Sequence, residues 1–164
     1  MKKGLRQKLG QLLGRKPLQM QVAALCRDAQ GQVLLVTSRD TGRWVLPKGW
    51  PMAGRTLADA ASQEAWEEAG VRGSVEQAEI GTYRYDKRQD RGFDIPIQVR
   101  VYALKVDELA NRYPEEKQRK RGWFSPERAA ELVAESELKG LLRALVLPTP
   151  ATSALQARSD RQAG

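Results

Sequence analysis

The chain has 164 residues, with 28 Lys and Arg against 20 Asp and Glu, one cysteine and no histidine. This length suits a single domain. The lone Cys26 excludes an internal disulfide framework and favours a reducing cytoplasm. The lack of histidine excludes His-based catalysis and His metal ligands. No apolar run is long enough to cross a bilayer and no signal peptide is recognisable, so we expect no stable membrane insertion.

The net charge of +8 favours a polyanionic partner: nucleic acid, an anionic membrane surface or a polyphosphorylated small molecule. Residues 1–16 carry six Lys and Arg, no acid and regularly spaced leucines. They are either a basic amphipathic helix for anionic lipid or RNA, or a frayed solubilising arm. Residues 148–164 are rich in Pro, Ala, Ser and Thr, which predicts a disordered tail. The folded domain is therefore expected to span 17–147.

Strand patterns open the predicted domain. Residues 18–26 alternate apolar and polar side chains, a turn lies around Gly31, and Val33–Val36 is a buried strand. A second turn, D-T-G at 40–42, leads into the short run Arg43–Leu46. The loop after that run is predicted to be rigid and irregular because it contains two prolines and two glycines, Pro47, Pro51, Gly49 and Gly54.

A short capped helix follows this loop. Thr56 followed by Asp59 resembles a capping box, so the helix begins near Leu57. Gly70 is the expected C′ glycine, so the helix ends near Ala69. The alanines of this segment share one face and are expected to pack on a sheet.

Three acids occupy the opposite face of this helix. Glu64, Glu67 and Glu68 lie at i, i+3 and i+4, so their carboxylates stand together. Like charges at this spacing cost about 0.2–0.5 kcal/mol per pair, and late acids oppose the helix dipole. The acids are either a solvated face or the ligands of a hard cation such as Mg²⁺ or Mn²⁺, which prefers oxygen. The loop and caps around them favour the metal site.

The remaining patterns predict more strands and two further helices. Strands are expected at 75–85, 96–106 and 121–124. Ser125-Pro126 begins a helix that runs through Val133, and an amphipathic helix lies between Leu138 and Leu145. A mixed sheet flanked by helices is the expected α/β sandwich.

The loop, the capped helix with E-x-x-E-E at 64–68 and the glycine exit together resemble the Nudix box, the loop–helix–loop signature of the Nudix hydrolases. Gly49 opens the motif and Gly70-Val71 closes it. Two positions depart, since Arg55 stands where the family has Glu and Gln63 where it has Arg. In the family, those two residues commonly form a salt bridge that braces the loop against the helix.

The resemblance implies a Nudix-type α/β/α sandwich with a mixed sheet and a loop–helix–loop metal site. It implies Mg²⁺ or Mn²⁺ held by Glu64, Glu67, Glu68 and the Gly49 carbonyl, with the three glutamates as the catalytic candidates. The proton acceptor is a box acid or a residue of the later loop, Glu115 or Glu116.

The flanking motifs resemble the diphosphoinositol polyphosphate phosphohydrolases and their bacterial relatives. They are V-L-L-V-T-S-R at 33–39, G-R-W-V-L-P at 42–47 and R-K-R-G-W-F at 119–124. In that branch, bases matching Arg39, the loop around Arg88 and Arg119 contact substrate phosphates. Adding the basic residues near the box gives six candidate phosphate-binding residues: Arg39, Arg43, Lys48, Arg55, Arg88 and Arg119. Gln19 and Gln21 replace bases expected in the first strand.

These patterns predict a Mg-dependent pyrophosphohydrolase that acts on a polyphosphorylated small molecule of the diphosphoinositol polyphosphate or dinucleoside polyphosphate type. Two alternatives stay open, an RNA 5′-end pyrophosphohydrolase and a non-catalytic basic module that binds polyanions on a Nudix scaffold. The sequence has no aromatics interleaved with basic residues, as single-strand binders usually have. Retention of all three acids also argues against a disabled enzyme.

Overall fold

The computed structural model describes residues 17–146, so the predicted arm 1–16 and tail 148–164 lie outside the described residues. Within residues 17–146 there are seven strands and three helices. In chain order they are β1 (Gln19–Arg27), β2 (Val33–Thr37), β3 (Trp44–Val45), β4 (Lys48–Gly49), α1 (Leu57–Ala69), β5 (Val71–Lys87), β6 (Ile95–Leu109), β7 (Arg121–Phe124), α2 (Pro126–Leu132) and α3 (Ser136–Ala144). None of the helices in this range is both long and apolar enough to cross a membrane.

All seven strands belong to one mixed sheet. Its main path runs β3-β2-β1-β6-β5, with β4 paired to β1 and β7 paired to β2. The strands β1 and β6 are parallel, with Gln19 opposite Ile97, and every other pairing is antiparallel. The two-residue strand β4 pairs antiparallel with β1, with Val22 opposite Gly49. This pairing fixes the entry to α1 against the centre of the sheet.

Two apolar cores cover the two faces of the sheet. Because side chains alternate along a strand, β1 sends Val22 and Ala24 to one core and Ala23 and Leu25 to the other. The first core packs under α1 and the second under α2 and α3. This arrangement confirms the predicted α/β/α sandwich.

Helix α1 has the predicted limits and caps. The Thr56 hydroxyl accepts a hydrogen bond from the Asp59 backbone N–H at 3.1 Å, and Gly70 ends the helix in the left-handed region at φ 67°. The capping box is incomplete, because the Asp59 carboxylate accepts a hydrogen bond from the Gln77 side chain instead of closing back on the cap. The alanine face is buried, with Ala58, Ala60, Ala61, Ala65 and Ala69 fully inaccessible.

Two strands are longer than predicted. The strand β5 begins at Val71, directly after α1, and β6 extends to Leu109. The β5–β6 register shifts between Arg72 and Gly73 and again near Glu79, and the first half of β5 is largely exposed. Such bulges break the alternation of apolar and polar residues, so these residues carry no strand pattern.

The cap of α1 gives a test of its local stability. We expect Thr56→Ala to lower the free energy of unfolding by about 1 kcal/mol, because the Asp59 N–H loses its acceptor. Urea denaturation of the metal-free protein measures this change. Thr56→Ser keeps the hydroxyl and is expected to stay near wild type; an equal loss in both variants would show that the hydroxyl is not the cause.

Candidate active site

The predicted acidic face of α1 lies opposite β4. Glu64 and Glu67 are half-buried on it, and Glu68 is only 5% exposed. The packing of Glu64 on Gly49 is so close that a Cβ added at position 49 would overlap the Glu64 carboxylate. Position 49 therefore has to be glycine for this carboxylate to lie against the β4 backbone.

Glu68 is held by two donors of the protein. Its Oε2 accepts a hydrogen bond from the Lys48 backbone N–H at 3.2 Å, and its Oε1 accepts one from Arg119 Nη2 at 3.1 Å. The Arg119 and Glu68 side chains are 10% and 7% exposed, so this ion pair is largely buried. Arg119 Nη1 also donates to the Thr37 carbonyl at 3.1 Å, at the end of β2. Arg119 thus contacts a predicted metal ligand, whereas the sequence predicted a contact with substrate phosphate.

A fourth carboxylate joins this group. Glu115 Oε1 lies 3.4 Å from Arg119 Nη2 and 3.4 Å from Arg39 Nη1, and the Glu115 backbone N–H donates to the Glu67 carbonyl at 2.9 Å. The sequence offered Glu115 and Glu116 equally as proton acceptors. The structure brings Glu115 to the acidic face through these contacts, while the Glu116 N–H bonds back to Tyr113 in the same loop.

The clustering shifts the acidity of two glutamates. Burial, with the negative charges of Glu68, Glu67 and Glu115, raises the pKa of Glu64 to about 7. Burial also raises the pKa of Glu68 to about 7, although Arg119 and the Lys48 N–H oppose that rise. Both carboxyls therefore hold a proton at a pH where ordinary glutamates are ionised.

The donor chemistry of this face suits a hard divalent cation. It offers carboxylate oxygens beside the β4 backbone, which are the ligands that Mg²⁺ and Mn²⁺ prefer. In residues 17–146, however, no three acidic or thiol side chains are already grouped as a metal-binding set. In this arrangement Gln63 engages Glu67, and two donors engage Glu68. Binding an ion there requires those side chains to exchange partners.

Residues 55 and 63, where the family pattern predicts a salt bridge between the loop and the helix, are still in contact. Arg55 Nη1 donates to Gln63 Oε1 at 3.2 Å, and Gln63 Nε2 donates to Glu67 Oε1 at 3.1 Å. A chain of two hydrogen bonds thus replaces the salt bridge expected from the family pattern. Arg55 also lines a groove of about 700 Å³ with Trp66 and Arg72, around the helix from Glu68.

Lys48 places its ammonium beside Tyr85. Its Nζ donates to the Tyr85 hydroxyl at 3.1 Å, and that hydroxyl donates to Gln21 Oε1 at 2.5 Å. Gln21 is 3% exposed, so a neutral amide forms the buried end of this network. Burial lowers the pKa of Lys48, against the charge of Glu68. Sequence patterns did not reveal the roles of Gln21 and Tyr85, because their partners are remote in the chain.

The other predicted phosphate-binding residues are dispersed. Arg43 Nη1 lies 2.6 Å from Glu135 Oε1, a buried residue that the sequence analysis missed. Arg39 is 56% exposed, with Nη1 donating to Gln118 at 2.8 Å. Arg88 is exposed in the segment after β5. The structure therefore brings Lys48, Arg119 and Arg39 to the acidic face, links Arg55 to Glu67 through Gln63, and pairs Arg43 with Glu135 instead.

Comparison with known protein families gives a match over most of the chain. The model of the NUDIX domain matches residues 17–145. Nudix hydrolase 12, mitochondrial, of Arabidopsis thaliana is 35% identical over 104 residues, which cover 62% of this chain and 51% of that protein. Diphosphoinositol polyphosphate phosphohydrolase 2 of Rattus norvegicus is 30% identical over 124 residues, 73% of this chain and 65% of that protein. The matched regions thus span about half to two thirds of these relatives.

Solved structures share the fold. The MutT protein from Methanosarcina mazei Go1 superposes with a TM-score of 0.59 at 20% identity, covering 79% of this chain and 94% of that chain. An Ap4A hydrolase of C. elegans superposes with a TM-score of 0.56 at 20% identity, covering 77% and 95%.

The raised carboxyl pKa values give a pH-dependent test. Between about pH 4.5 and 7 the folded, metal-free protein binds more protons than the unfolded chain, so these groups stabilise it less as pH rises through that range. A divalent ion competes with the same protons, so we expect the rise in Tm caused by millimolar Mg²⁺ to be larger at about pH 8 than at about pH 5. Thermal melts with Mg²⁺ or EDTA measure it. A Tm indifferent to Mg²⁺ and Mn²⁺ at both pH values would count against a site here.

Alanine substitutions at two glycines, one at the site and one far from it in the chain, test the packing of Glu64. Gly49→Ala is expected to remove most of the Mg²⁺-induced rise in Tm, because the added Cβ must displace the Glu64 carboxylate. Gly140→Ala is the matched control, since the space around Gly140 in α3 is open. The control is expected to raise stability by up to about 1 kcal/mol and to keep the full Mg²⁺ response. An unchanged Mg²⁺ response in Gly49→Ala would remove position 49 from the site.

Proposed function

This chain belongs to the NUDIX domain family, and we propose that it is a metal-dependent pyrophosphohydrolase that cleaves a diphosphate linkage in a polyphosphorylated small molecule. One observation carries the proposal. The carboxylates of Glu67, Glu68 and Glu115 repel that of Glu64, and Glu68 lies beside the Arg119 guanidinium and within electrostatic reach of the Lys48 ammonium. A purely structural helix would gain stability by losing that repulsion.

The cation would be held by Glu64, Glu67 and Glu68, with the Gly49 carbonyl as a further oxygen ligand. A bound Mg²⁺ supplies charge neutralisation at phosphate oxygens and acidifies a water molecule. The close packing of Glu64 on Gly49 and the raised pKa values of Glu64 and Glu68 support this assignment.

The protein's own cations would orient the substrate. The charges of Lys48 and Arg119 both act on Glu68, and the exposed Arg39 extends the positive charge toward solvent. A guanidinium binds phosphate through paired N–H groups, whereas an ammonium acts as a point charge. The diphosphate would therefore lie between Lys48 and Arg119, with a terminal phosphate toward Arg39.

Glu115 is the better placed of the two loop acids to accept the proton of the attacking water. Its carboxylate is half-buried, is bonded to Arg119 and adds to the negative potential at Glu64. A positioned general base contributes typically about 10²–10⁴-fold to rate.

The substrate class rests on the relatives and on charge. Two relatives are named diphosphoinositol polyphosphate phosphohydrolases, of 30% and 34% identity. In this chain, neutral Gln21 forms the floor of the Lys48 network and Glu135 neutralises Arg43. Fewer free cations therefore remain to bind the many phosphates of an inositol ring. This shortage favours dinucleoside polyphosphates as a further class of substrate.

Phosphate release separates the enzyme from a polyanion-binding module. The protein is incubated with a diphosphoinositol polyphosphate, a diadenosine polyphosphate and 5′-triphosphorylated RNA, each with Mg²⁺ or EDTA. The proposal expects Mg²⁺-dependent hydrolysis of a small-molecule diphosphate. Binding without hydrolysis of any compound would favour the non-catalytic module, and hydrolysis of RNA alone would favour the end-processing alternative.

Removing one carboxylate tests the assignment of the acidic face. We expect Glu68→Gln to lower kcat at least about a hundredfold at saturating Mg²⁺, because it removes negative charge from the metal-binding set while keeping the shape of the side chain. Glu116→Gln is the control from the neighbouring loop and is expected to keep near-normal turnover. Circular dichroism checks that both variants fold, and near-normal kcat in Glu68→Gln would overturn the assignment.

A further inference from the structure

An ion pair lies beside the candidate site without belonging to the acidic face. Arg43, next to the start of β3, contacts Glu135, the residue before α3, with Nη1 and Oε1 2.6 Å apart. The Glu135 side chain is 7% exposed and the Arg43 side chain 34% exposed. The guanidinium therefore forms the accessible part of a pair whose negative charge is buried.

The pair leaves one acceptor unmatched. Glu135 Oε2 is buried and has no hydrogen-bond partner among the described residues. Buried carboxylate oxygens are normally paired, and an unpaired one calls for an explanation. The two oxygens turn together about the terminal torsion, and Oε2 has almost no contact with solvent, so a donor from outside reaches it only past the partly exposed Arg43 side chain.

Glu135 interacts electrostatically with two tyrosines and with the Lys48 network. Burial raises the pKa of Tyr83 well above its usual value and that of Tyr85 to about 12, and the Glu135 charge adds to both shifts. Glu135 also lies within electrostatic reach of Lys48. One end of this region thus carries the Lys48 ammonium, and the other carries a pair with no net charge.

Resting on the proposed function, we propose that Arg43 and Glu135 form a subsite for the uncharged part of the substrate, with Glu135 as a specificity-determining residue. A phosphate at Arg43 would face the Glu135 carboxylate, which repels it. A neutral group with a hydroxyl or an amino N–H is favoured instead, because it donates to Glu135 Oε2 while it accepts from the exposed N–H groups of Arg43. The phosphates then extend from this group toward Lys48.

The test compares Glu135→Gln with wild type on inorganic tripolyphosphate, which has no uncharged part, and on diadenosine tetraphosphate. We expect kcat/KM to fall about tenfold or more for diadenosine tetraphosphate, because the amide no longer offers a charged acceptor. We expect it to rise severalfold for tripolyphosphate, because Arg43 is no longer neutralised. A crossover in substrate preference is therefore the signature. Equal losses on both substrates, or no change on either, would overturn the subsite.

Two further variants keep the result interpretable. Glu131→Gln removes the acid of an exposed ion pair with Arg128 and is expected to leave kcat/KM unchanged for both substrates. The double variant Arg43→Gln with Glu135→Gln leaves no buried unpaired charge. It is expected to lose the preference for diadenosine tetraphosphate without gaining on tripolyphosphate, and it decides the question if Glu135→Gln fails to fold.

Substrate analogues show which group of the substrate donates the hydrogen bond to Glu135, a sugar hydroxyl or the exocyclic amine of the base. A dideoxyadenosine triphosphate lacks the sugar hydroxyls, and a purine riboside triphosphate lacks the exocyclic amine. Sensitivity to Glu135→Gln is expected to disappear for whichever analogue lacks the recognised donor, and its persistence with both would overturn donor recognition.

If wild-type protein hydrolyses none of these compounds, the proposed function fails. Calorimetric binding of adenosine and of tripolyphosphate to the same variants then tests the subsite alone. The same crossover is expected in Kd, and its absence would overturn the subsite.

Discussion

The buried ion pair between Arg119 and Glu68 joins the parts of the chain that build the site. Glu68 belongs to α1, its other oxygen is bonded to the backbone of β4, and Arg119 reaches the end of β2 through the Thr37 carbonyl. A buried charge is tolerated only where its partner is well placed, and breaking such a pair typically costs about 3–5 kcal/mol. This ion pair therefore positions the helix, the loop and the end of β2 relative to one another.

The basic residues of the site fall into two groups, those that contact a carboxylate and those that contact a neutral group. Arg119 and Arg39 are bonded to carboxylates of the acidic face, and Arg43 is neutralised by Glu135. Lys48 and Arg55 instead contact neutral groups, a phenol and an amide. The net charge of the protein consequently says little about where a phosphate binds, because local pairing decides which cations stay available.

Local signals in the sequence predicted α1 to the residue, because Thr56, Gly70 and the alternation of alanines and acids all lie within the helix and its caps. They also identified Glu64, Glu67 and Glu68 as one face. The partners of that face were only partly predictable: Arg119 pairs with Glu68 across 51 positions, and Arg43 with Glu135 across 92. Glu135 falls in the short segment between α2 and α3, where nothing local distinguishes a buried acid from a solvated one. The start of β5 was missed because its bulged, exposed edge has no alternation.

Residue 48 serves the site through two separate parts of its structure. The main-chain N–H holds Glu68, while the side chain extends to Tyr85. Any amino acid except proline supplies that N–H, so the acid-holding contact does not depend on the identity of the side chain. A substitution of Lys48 is therefore expected to change the proposed phosphate contact while it keeps the hydrogen bond to Glu68. Because the main chain and the side chain of residue 48 make separate contacts, a single substitution there is able to change one contact and keep the other.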